Sequence, residues 1–115
     1  MESGSKRILF LTKLKVEDSR STYDAFVRSH LLPLVNSFES VVAYEVFRID
    51  GSLFDGGRNA MWDYVDVIDV KDVVAYESDV AAAMETELGK AFEVGWLELV
   101  DRWLPVYGTR IDEVD

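Results

Sequence analysis

The sequence predicts an α+β domain of the ferredoxin-like class, in which helices cover one face of a four-stranded antiparallel sheet. Strand-like and helix-like patterns follow one another in the order strand, helix, strand, strand, helix, strand. The stretch AMWDYVDVIDV, from Ala60 to Val70, alternates with a period of two and has apolar side chains on both faces. We therefore expect residues 1–115 to form one domain, with helices on one face of the sheet and a second copy of the chain on the other.

Composition excludes several classes of partner. The chain has 12 Lys and Arg against 22 Asp and Glu, a formal charge of -10, which repels nucleic-acid phosphates and anionic membranes. Cysteine is absent, so thiol nucleophiles, thiolate metal sites and disulfides are excluded. No apolar run approaches the roughly 20 residues that a membrane span requires. We expect a soluble, cytoplasmic protein with neither a nucleic-acid nor a membrane partner.

The first half of the chain contains a strand, a helix and a second strand. KRILFLTKL, from Lys6 to Leu14, predicts the first strand. Ser21, with Asp24 three residues later, predicts the start of a helix that runs to about Leu31. Pro33 is expected to end or kink this helix because proline lacks an N–H. Residues 41–49, VVAYEVFRI, predict the second strand.

The second half begins with a loop of about ten residues, 51–59, before the central strand. A loop of this length forms either a lid or pocket wall, or a floppy excursion. Asp72 is expected to cap a helical region from Val73 to about Val100, with a break near Gly89 or Gly95. Residues 103–111, WLPVYGTRI, predict the last strand, and Pro105 within it favours an edge position or the strand's beginning.

Three features resemble a known family. They are WDYVDVIDV at 62–70, DVVAYESD at 72–79, and a histidine at the end of the first helix, set in the β-α-β-β-α-β order. The chain resembles the dimeric α+β barrel superfamily and, within it, the REDY-like HapK family, associated with biosynthesis of prodiginine-type tripyrrole pigments. The resemblance implies a homodimer, free of cofactors, that acts on an aromatic or heteroaromatic intermediate of secondary metabolism. It supplies no catalytic residues.

The candidate catalytic residues depend on how the two middle strands pair. A register that sets Tyr44 opposite Asp66 gives two faces. We assign to the helices the mostly apolar face, which includes Val41, Ala43, Glu45, Phe47, Ile49, Met61, Asp63, Val65 and Val67. The mixed face, which includes Tyr44, Trp62, Tyr64 and Asp66, is then the dimer interface, with Tyr44 and Asp66 as a hydrogen-bonded pair.

Proton transfer is the chemistry that these residues favour. Buried carboxylates require partners, water or a proton, so Glu45 and Asp63 are candidate acid–base residues. His30, the only histidine, is the third. The alternative is structural: the carboxylates pair with Lys13, Arg20 or Arg48, and His30 is a hydrogen-bonded core or rim residue. The residues expected around the substrate are aromatic or apolar, namely Tyr23, Phe26, Phe47, Met61, Trp62, Tyr64 and Trp96.

No cofactor signature is present. GSLFDGG lacks the spacing of phosphate-binding loops. With a single histidine, the sequence gives weak support for a zinc site. A haem iron would depend on His30 as its axial ligand, and no other feature supports haem. We therefore expect no cofactor and no metal. The leading hypothesis is a cyclase or isomerase that works by positioning and proton transfer. The alternatives are a cofactor-independent monooxygenase and a non-catalytic metabolite-binding dimer.

Overall fold

The protein, as a computed structural model, is described over residues 6–57 and 60–113. Its sheet contains β1 (Lys6–Leu14), β2 (Val41–Arg48), β3 (Tyr64–Val70) and β4 (Val100–Thr109), in the order β2-β3-β1-β4. All neighbouring strands are antiparallel. The ferredoxin-like prediction is confirmed. Pro105 lies on an edge strand, as expected, where it pairs with Phe10 of β1.

The N-terminal helical region is longer than predicted. A 3₁₀ turn (Glu17–Ser19) leads into α1 (Arg20–Phe26), a π-helical turn (Val27–Leu31) and α2 (Leu32–Asn36). Ser21 is not the cap, because α1 begins one residue before it. Pro33 does not end the helix either. The Leu32 N–H bonds to the carbonyl of Val27, five residues back, and this wider turn absorbs the change in hydrogen bonding that the proline requires.

The C-terminal helical region is divided into α3 (Val73–Met84) and α4 (Glu87–Leu99). Asp72 caps α3 as predicted, since its Oδ2 accepts from the Ala75 N–H at 2.9 Å. The break lies near Gly89, as expected: the Thr86 hydroxyl accepts from the Gly89 N–H at 3.0 Å and caps α4. A Cβ at Gly89 would lie 1.9 Å from the Ala83 carbonyl oxygen, so the sharp turn requires glycine at this position.

The assignment of the two sheet faces was wrong. Tyr44 pairs with Ile68 rather than Asp66, a shift of two residues that preserves which residues share a face. The mixed face, with Tyr44, Tyr64 and Asp66, packs beneath the helices and is buried. It can be buried because its polar atoms have partners: Tyr44 donates to Asp66, and Tyr64 donates to Asp24.

The opposite face of the sheet, which we call the open face, has no layer over it in the single chain. Leu9, Phe47, Leu104 and Val106 are 40–50% exposed there. The core lies between the helices and the other face, and includes Ile8, Tyr23, Val27, Leu31, Val35, Ile68, Trp96 and Val100. The domain therefore has two layers, with one side of its sheet uncovered.

The last two strands also differ from their expected bounds. β3 begins at Tyr64 rather than Ala60, and residues 60–63 belong to the connection from β2. β4 begins at Val100, three residues early, and Ile111 falls in a short 3₁₀ turn (Ile111–Glu113). The β2–β3 connection has left-handed backbone at Phe54, Gly56 and Gly57. No helix in the described residues combines the length and apolarity of a membrane span.

Candidate active site

A cleft of about 270 Å³ lies between the helices and the buried face of the sheet. Its floor is formed by side chains of the strands, namely Phe10, Thr12, Tyr44, Asp66 and Ile68. Its walls are mostly apolar or aromatic and include Leu31, Leu34, Val35, Phe38, Tyr76, Val80, Met84, Phe92, Glu93, Trp96 and Trp103. Ligand sites have this character, an apolar cavity with a few convergent polar groups, and this volume suits a small flat molecule.

Asp66 is the ionisable group at the floor of the cleft. It lies in the middle of β3, opposite Phe10 of β1 and Val46 of β2, and is 5% exposed. Its Oδ2 accepts a hydrogen bond from the Tyr44 hydroxyl at 2.8 Å. Its Oδ1 is buried and has no hydrogen-bond partner among the described residues. One carboxylate oxygen is therefore held in place, and the other is buried without a partner in the described residues.

Burial raises the pKa of Asp66 to about 7, although the hydrogen bond from Tyr44 acts to lower it. At neutral pH the side chain therefore exists as acid and carboxylate in comparable amounts. A pKa near the working pH is what a general acid or base requires.

Strand periodicity explains why Asp66 is buried. In YVDVIDV, alternate residues from Tyr64 to Val70 point toward the helices and are buried, and Asp66 is one of them. Asp69 belongs to the other set and forms an ion pair with Arg7 on the open face. Two aspartates of one strand thus have opposite environments.

Tyrosine hydroxyls surround Asp66 on three elements. Burial, with Asp66 as the second cause, raises the pKa of Tyr23 and of Tyr44 above the ordinary value and that of Tyr76 to about 12. These hydroxyls therefore stay protonated at neutral pH. Tyr23 in turn accepts a hydrogen bond from the Trp96 Nε1 at 3.3 Å.

Ring contacts fix the aromatic wall. Trp96 packs edge-on against Phe10 and Trp103, with ring centroids 5.9 and 4.6 Å apart. Phe92 stacks on Phe26 at 5.3 Å. Because these rings come from β1, α1, α4 and β4, the wall is held by several elements at once and offers a rigid surface to a flat ligand.

The three predicted catalytic residues do not converge. Asp63 is buried where β1 ends: its Oδ1 accepts from Arg20 at 2.7 Å, its Oδ2 accepts from the Leu14 N–H at 2.8 Å, and Lys13 lies 3.5 Å away. This is the structural alternative foreseen for Asp63. His30 is exposed and packs against Phe26, with ring centroids 5.2 Å apart. Glu45 is exposed on β2.

Glu45 lies instead at a second, open depression of about 500 Å³ along the edge of β2. Asp24, Arg28, Phe47, Arg48 and Tyr64 are among its other lining residues. Asp24 there accepts from Arg48 at 2.9 Å and from the Tyr64 hydroxyl. Neither His30 nor Asp63 lines this depression, and none of the three candidates lines the cleft at Asp66. A catalytic role for any of them stays a prediction.

The predicted substrate-binding residues are also divided. Trp96 lines the cleft, and Tyr23 lies behind it as its hydrogen-bond partner. Phe26 supports the wall through Phe92. Four others lie outside the cleft: Phe47, Met61, Trp62 and Tyr64. Met61 is exposed, and Trp62 lies beneath the guanidinium of Arg102, 5.6 Å from its ring centroid.

The alternating pattern of the strands predicts a polar contact of Asp66 with Tyr44, but places both residues on the wrong side of the sheet. The hydrogen bond between Tyr44 and Asp66 was expected and is confirmed, but it lies at the cleft rather than at an interface. Tyr76, Glu93 and Trp103 were not recognised as site residues, because they reach the cleft from α3, α4 and β4 by tertiary packing. In the described ranges no three His, Asp or Glu side chains form a group that could hold a metal ion.

A family model described as REDY-like protein HapK matches residues 6–104 of the chain. This range includes the four strands as far as Leu104, all four α-helices and every residue that lines the cleft. A comparison with curated proteins gave no match.

Solved structures with the same fold cover nearly the whole chain. HapK from Hahella chejuensis is 22% identical, with a TM-score of 0.69 and 91% of each chain covered. A dabb family protein from Mesorhizobium loti is 16% identical, with a TM-score of 0.65, covering 93% of this chain and 97% of that one. A dimeric ferredoxin-like protein of unknown function from Thermobifida fusca is 11% identical, with a TM-score of 0.63, covering 96% and 94%.

Proposed function

The chain belongs to the REDY-like HapK family, and we propose that it is a cofactor-independent cyclase or isomerase for an aromatic, indole- or pyrrole-type intermediate of secondary metabolism. One observation carries the proposal: Asp66 lines an aromatic cleft, has one carboxylate oxygen without a partner in the described residues, and has a pKa of about 7. In this proposal Asp66 is the proton-transfer group. The sequence predicts that role for His30, Glu45 and Asp63.

The proposed mechanism requires one proton to move and no redox partner. The Asp66 carboxylate takes a proton from one atom of the intermediate and returns it to another atom as the new bond or double bond forms. The carboxylate is regenerated, and the substrate and product have the same composition. The hydrogen bond from Tyr44 to Oδ2 fixes the orientation of the carboxylate at the floor of the cleft.

Positioning supplies the rest of the proposed catalysis. A flat intermediate between the sheet floor and the wall formed by Phe92 and Trp96 has few orientations available. Holding two reacting atoms of one molecule close together contributes several kcal/mol, of the order of 7–11 in well-oriented model reactions.

The test is product analysis of indole- and pyrrole-type intermediates with and without protein, under air and under nitrogen. We expect a new product, or a new stereochemical outcome, that does not depend on oxygen. Asp66→Asn should lower turnover by roughly 10²-fold or more. Asp69→Asn is the matched control, because it changes an aspartate of the same strand that faces away from the cleft, and it should keep wild-type turnover.

The other outcomes each exclude the proposal. Turnover that stops without oxygen identifies a monooxygenase. Binding of an intermediate, with products and rates identical to those without protein, identifies a metabolite-binding protein. An Asp66→Asn variant that folds and retains wild-type turnover removes the proposed role of Asp66.

We further propose that the functional unit is a homodimer joined through the open face. Apolar side chains of this face, including Leu9, Leu104 and Val106, are partly exposed in the single chain. The radius of gyration is 15.2 Å, against about 13 Å for a compact chain of this length. A second sheet packed on this face would bury the apolar surface. The fold shared with the dimeric Thermobifida fusca protein supports this arrangement.

A further inference from the structure

The cleft at Asp66 has the lining of a site for organic cations. Seven aromatic side chains border it, and their faces carry negative electrostatic potential: Phe10, Phe38, Tyr44, Tyr76, Phe92, Trp96 and Trp103. Its ionisable carboxyl groups are Asp66 at the floor and Glu93 at the exposed mouth. Among the described residues that line it, none is Lys, Arg or His.

The Asp66 carboxyl group determines where a positive charge would be favoured in the cleft. Asp66 is 95% buried, its Oδ2 is occupied by Tyr44, and its Oδ1 has no protein partner in the described ranges. An ionised carboxylate in an apolar cavity requires a counter-charge, and the cleft supplies no basic side chain. A ligand that brings its own positive charge meets this requirement.

We propose that the preferred ligand of the cleft is a planar organic cation, either a protonated nitrogen heterocycle or an iminium species, with its charge beside the Asp66 carboxyl group and its ring against the aromatic wall. Cation–π attraction and the carboxylate then act on the same positive charge. The inference rests on the proposed function for the location of the site and adds the charge of the species bound there. It also excludes carboxylates and phosphate esters as ligands, because Asp66 and Glu93 would repel them.

The charge of the cleft depends on pH mainly through the ionisation of Asp66. The side chains that face Asp66 are Tyr23 of α1, Tyr44 of β2, Tyr76 of α3 and, at the mouth, Glu93 of α4. The three tyrosine pKa values are all raised, so these hydroxyls stay neutral between pH 6 and 8. Ionisation of Asp66 is therefore the expected change over this interval.

The experiment is calorimetric titration with three probes of similar size: N-methylquinolinium, N-methylindole and naphthoate. N-methylquinolinium keeps its charge at every pH. Its affinity should rise about tenfold from pH 6 to pH 8, because the ionised fraction of Asp66 rises from about a tenth to about nine-tenths. N-methylindole should bind more weakly than the cation at pH 8, without this pH dependence, and naphthoate should not bind.

Variants assign the effect to Asp66. Asp66→Asn should abolish the pH dependence for N-methylquinolinium and weaken its binding at pH 8 by about tenfold or more, while N-methylindole binds as before. Asp69→Asn is the control and should behave as wild type. If Asp66→Asn does not fold, the comparison of pH 6 with pH 8 on the wild-type protein decides.

Two results would overturn the inference. One is an N-methylquinolinium affinity at pH 8 no greater than that of N-methylindole, and the other is an equal affinity for the cation at pH 6 and 8. Either result leaves the proposed function standing if a neutral intermediate is still converted by wild type and not by Asp66→Asn. If the wild-type protein also fails to convert a neutral intermediate, both the inference and the proposed function are excluded.

Discussion

At the scale of single residues, the burial of Asp66 is expected to lower the stability of the fold at neutral pH. The pKa of a carboxyl group rises on burial because its charged form loses hydration, in this case from 3.8 to about 7. The folded chain therefore holds a proton that the unfolded chain releases. The contribution of Asp66 to the free energy of unfolding is greatest below the unfolded pKa and is lost as the pH rises through about 7, by a total on the order of 4 kcal/mol.

Replacing Asp66 by Asn should remove this cost. At pH 8, Asp66→Asn should melt ~5–15 °C higher than wild type, because the neutral amide needs no counter-charge. At pH 5, where wild-type Asp66 is protonated, the two proteins should melt within a few degrees of each other. Thermal unfolding followed by circular dichroism at both pH values measures the difference.

The control for that comparison is Asp69→Asn, which removes a half-exposed carboxylate and its ion pair with Arg7. Surface ion pairs contribute roughly 0–1 kcal/mol, so this variant should show a small loss at both pH values. A lower melting temperature for Asp66→Asn than for wild type at pH 8 would mean that the buried carboxylate stabilises the fold instead of destabilising it.

Tyr44 tunes the same carboxyl group. Its hydrogen bond to Oδ2 favours the charged form, so Tyr44→Phe should raise the pKa of Asp66 further. The pH midpoint of turnover, which we expect near 7 for wild type, should move upward in this variant. A pH–rate profile, with the Asp66 carboxyl carbon titrated by NMR, measures both quantities.

Tyr76→Phe is the matched control, because Tyr76 lines the cleft but donates no hydrogen bond to Asp66. It should leave the midpoint near that of wild type. An unchanged midpoint in Tyr44→Phe would show that Tyr44 does not set the acidity of Asp66.

At the scale of elements, the junction between α3 and α4 depends on one glycine. A Cβ at Gly89 would lie 1.9 Å from the Ala83 carbonyl oxygen and 2.6 Å from its carbon, both fixed in the backbone of the junction. A Cβ at Gly95 would instead lie 2.9 Å from Cε1 of Phe26, a ring that can shift. The two glycines of one helix thus have different tolerances for substitution.

Gly89→Ala should destabilise the protein by roughly 2 kcal/mol or more, because the backbone of the junction has to move. Gly95→Ala should cost less, since the gain of ~1 kcal/mol in helix propensity offsets the displacement of Phe26. Chemical denaturation of the two variants provides the measurement. Equal losses would mean that the turn at Gly89 adapts more easily than its geometry indicates.

The sequence predicted elements more reliably than their ends. Local signals located Asp72 as a cap and glycine as the cause of the break in the second helical region. The continuation past Pro33 could not be predicted, because the π-helical turn depends on packing of Leu31 and Val35 in the core. Side-chain partners decided which sheet face was buried. The mixed face could be covered because Tyr44 and Tyr64 donate to Asp66 and Asp24. The alternating pattern predicts the first contact but not the second, because Asp24 lies on α1.

At the scale of the whole molecule, the protomer is flat. Its extents are 46 × 42 × 19 Å, and the smallest one corresponds to a single helical layer on a single sheet. A chain of this length that buried both faces of its sheet would be thicker and less broad. The shape therefore supports the proposed association through the open face.

A charge on the open face should prevent association. Leu9 lies on β1, a central strand, between Val67 and Val106. Leu9→Lys would place a charge at the middle of the proposed interface, where it would lose its hydration, and should give the mass of one chain in light scattering. Wild type should give twice that mass.

Val74→Lys is the control, since Val74 is exposed on α3, on the helical side. This variant should keep the mass of wild type. Wild-type protein with the mass of one chain at micromolar concentration would contradict the dimer, whatever the variants do.

The candidate site was harder to predict than the fold because its residues are brought together by tertiary packing. Asp66 and Tyr44 were recognised as a pair from strand alternation alone. Glu93 and Trp103 come from elements that carry no local sign of a cleft. Asp63, a carboxylate in a largely apolar pattern, is held by Arg20 and the Leu14 N–H, and its catalytic role stays a prediction.

The two faces of β3 carry different sets of side chains, and this limits how the length of the strand can vary among members of the family. Asp66 faces the cleft, and its neighbours Val65 and Val67 face the other way. Inserting or deleting one residue in this strand would exchange the two sets, and would remove the carboxylate from the cleft and the valines from the open face in a single event. Evolutionary gains and losses of residues should therefore accumulate in the connection at 49–63, whereas β3 keeps a constant length.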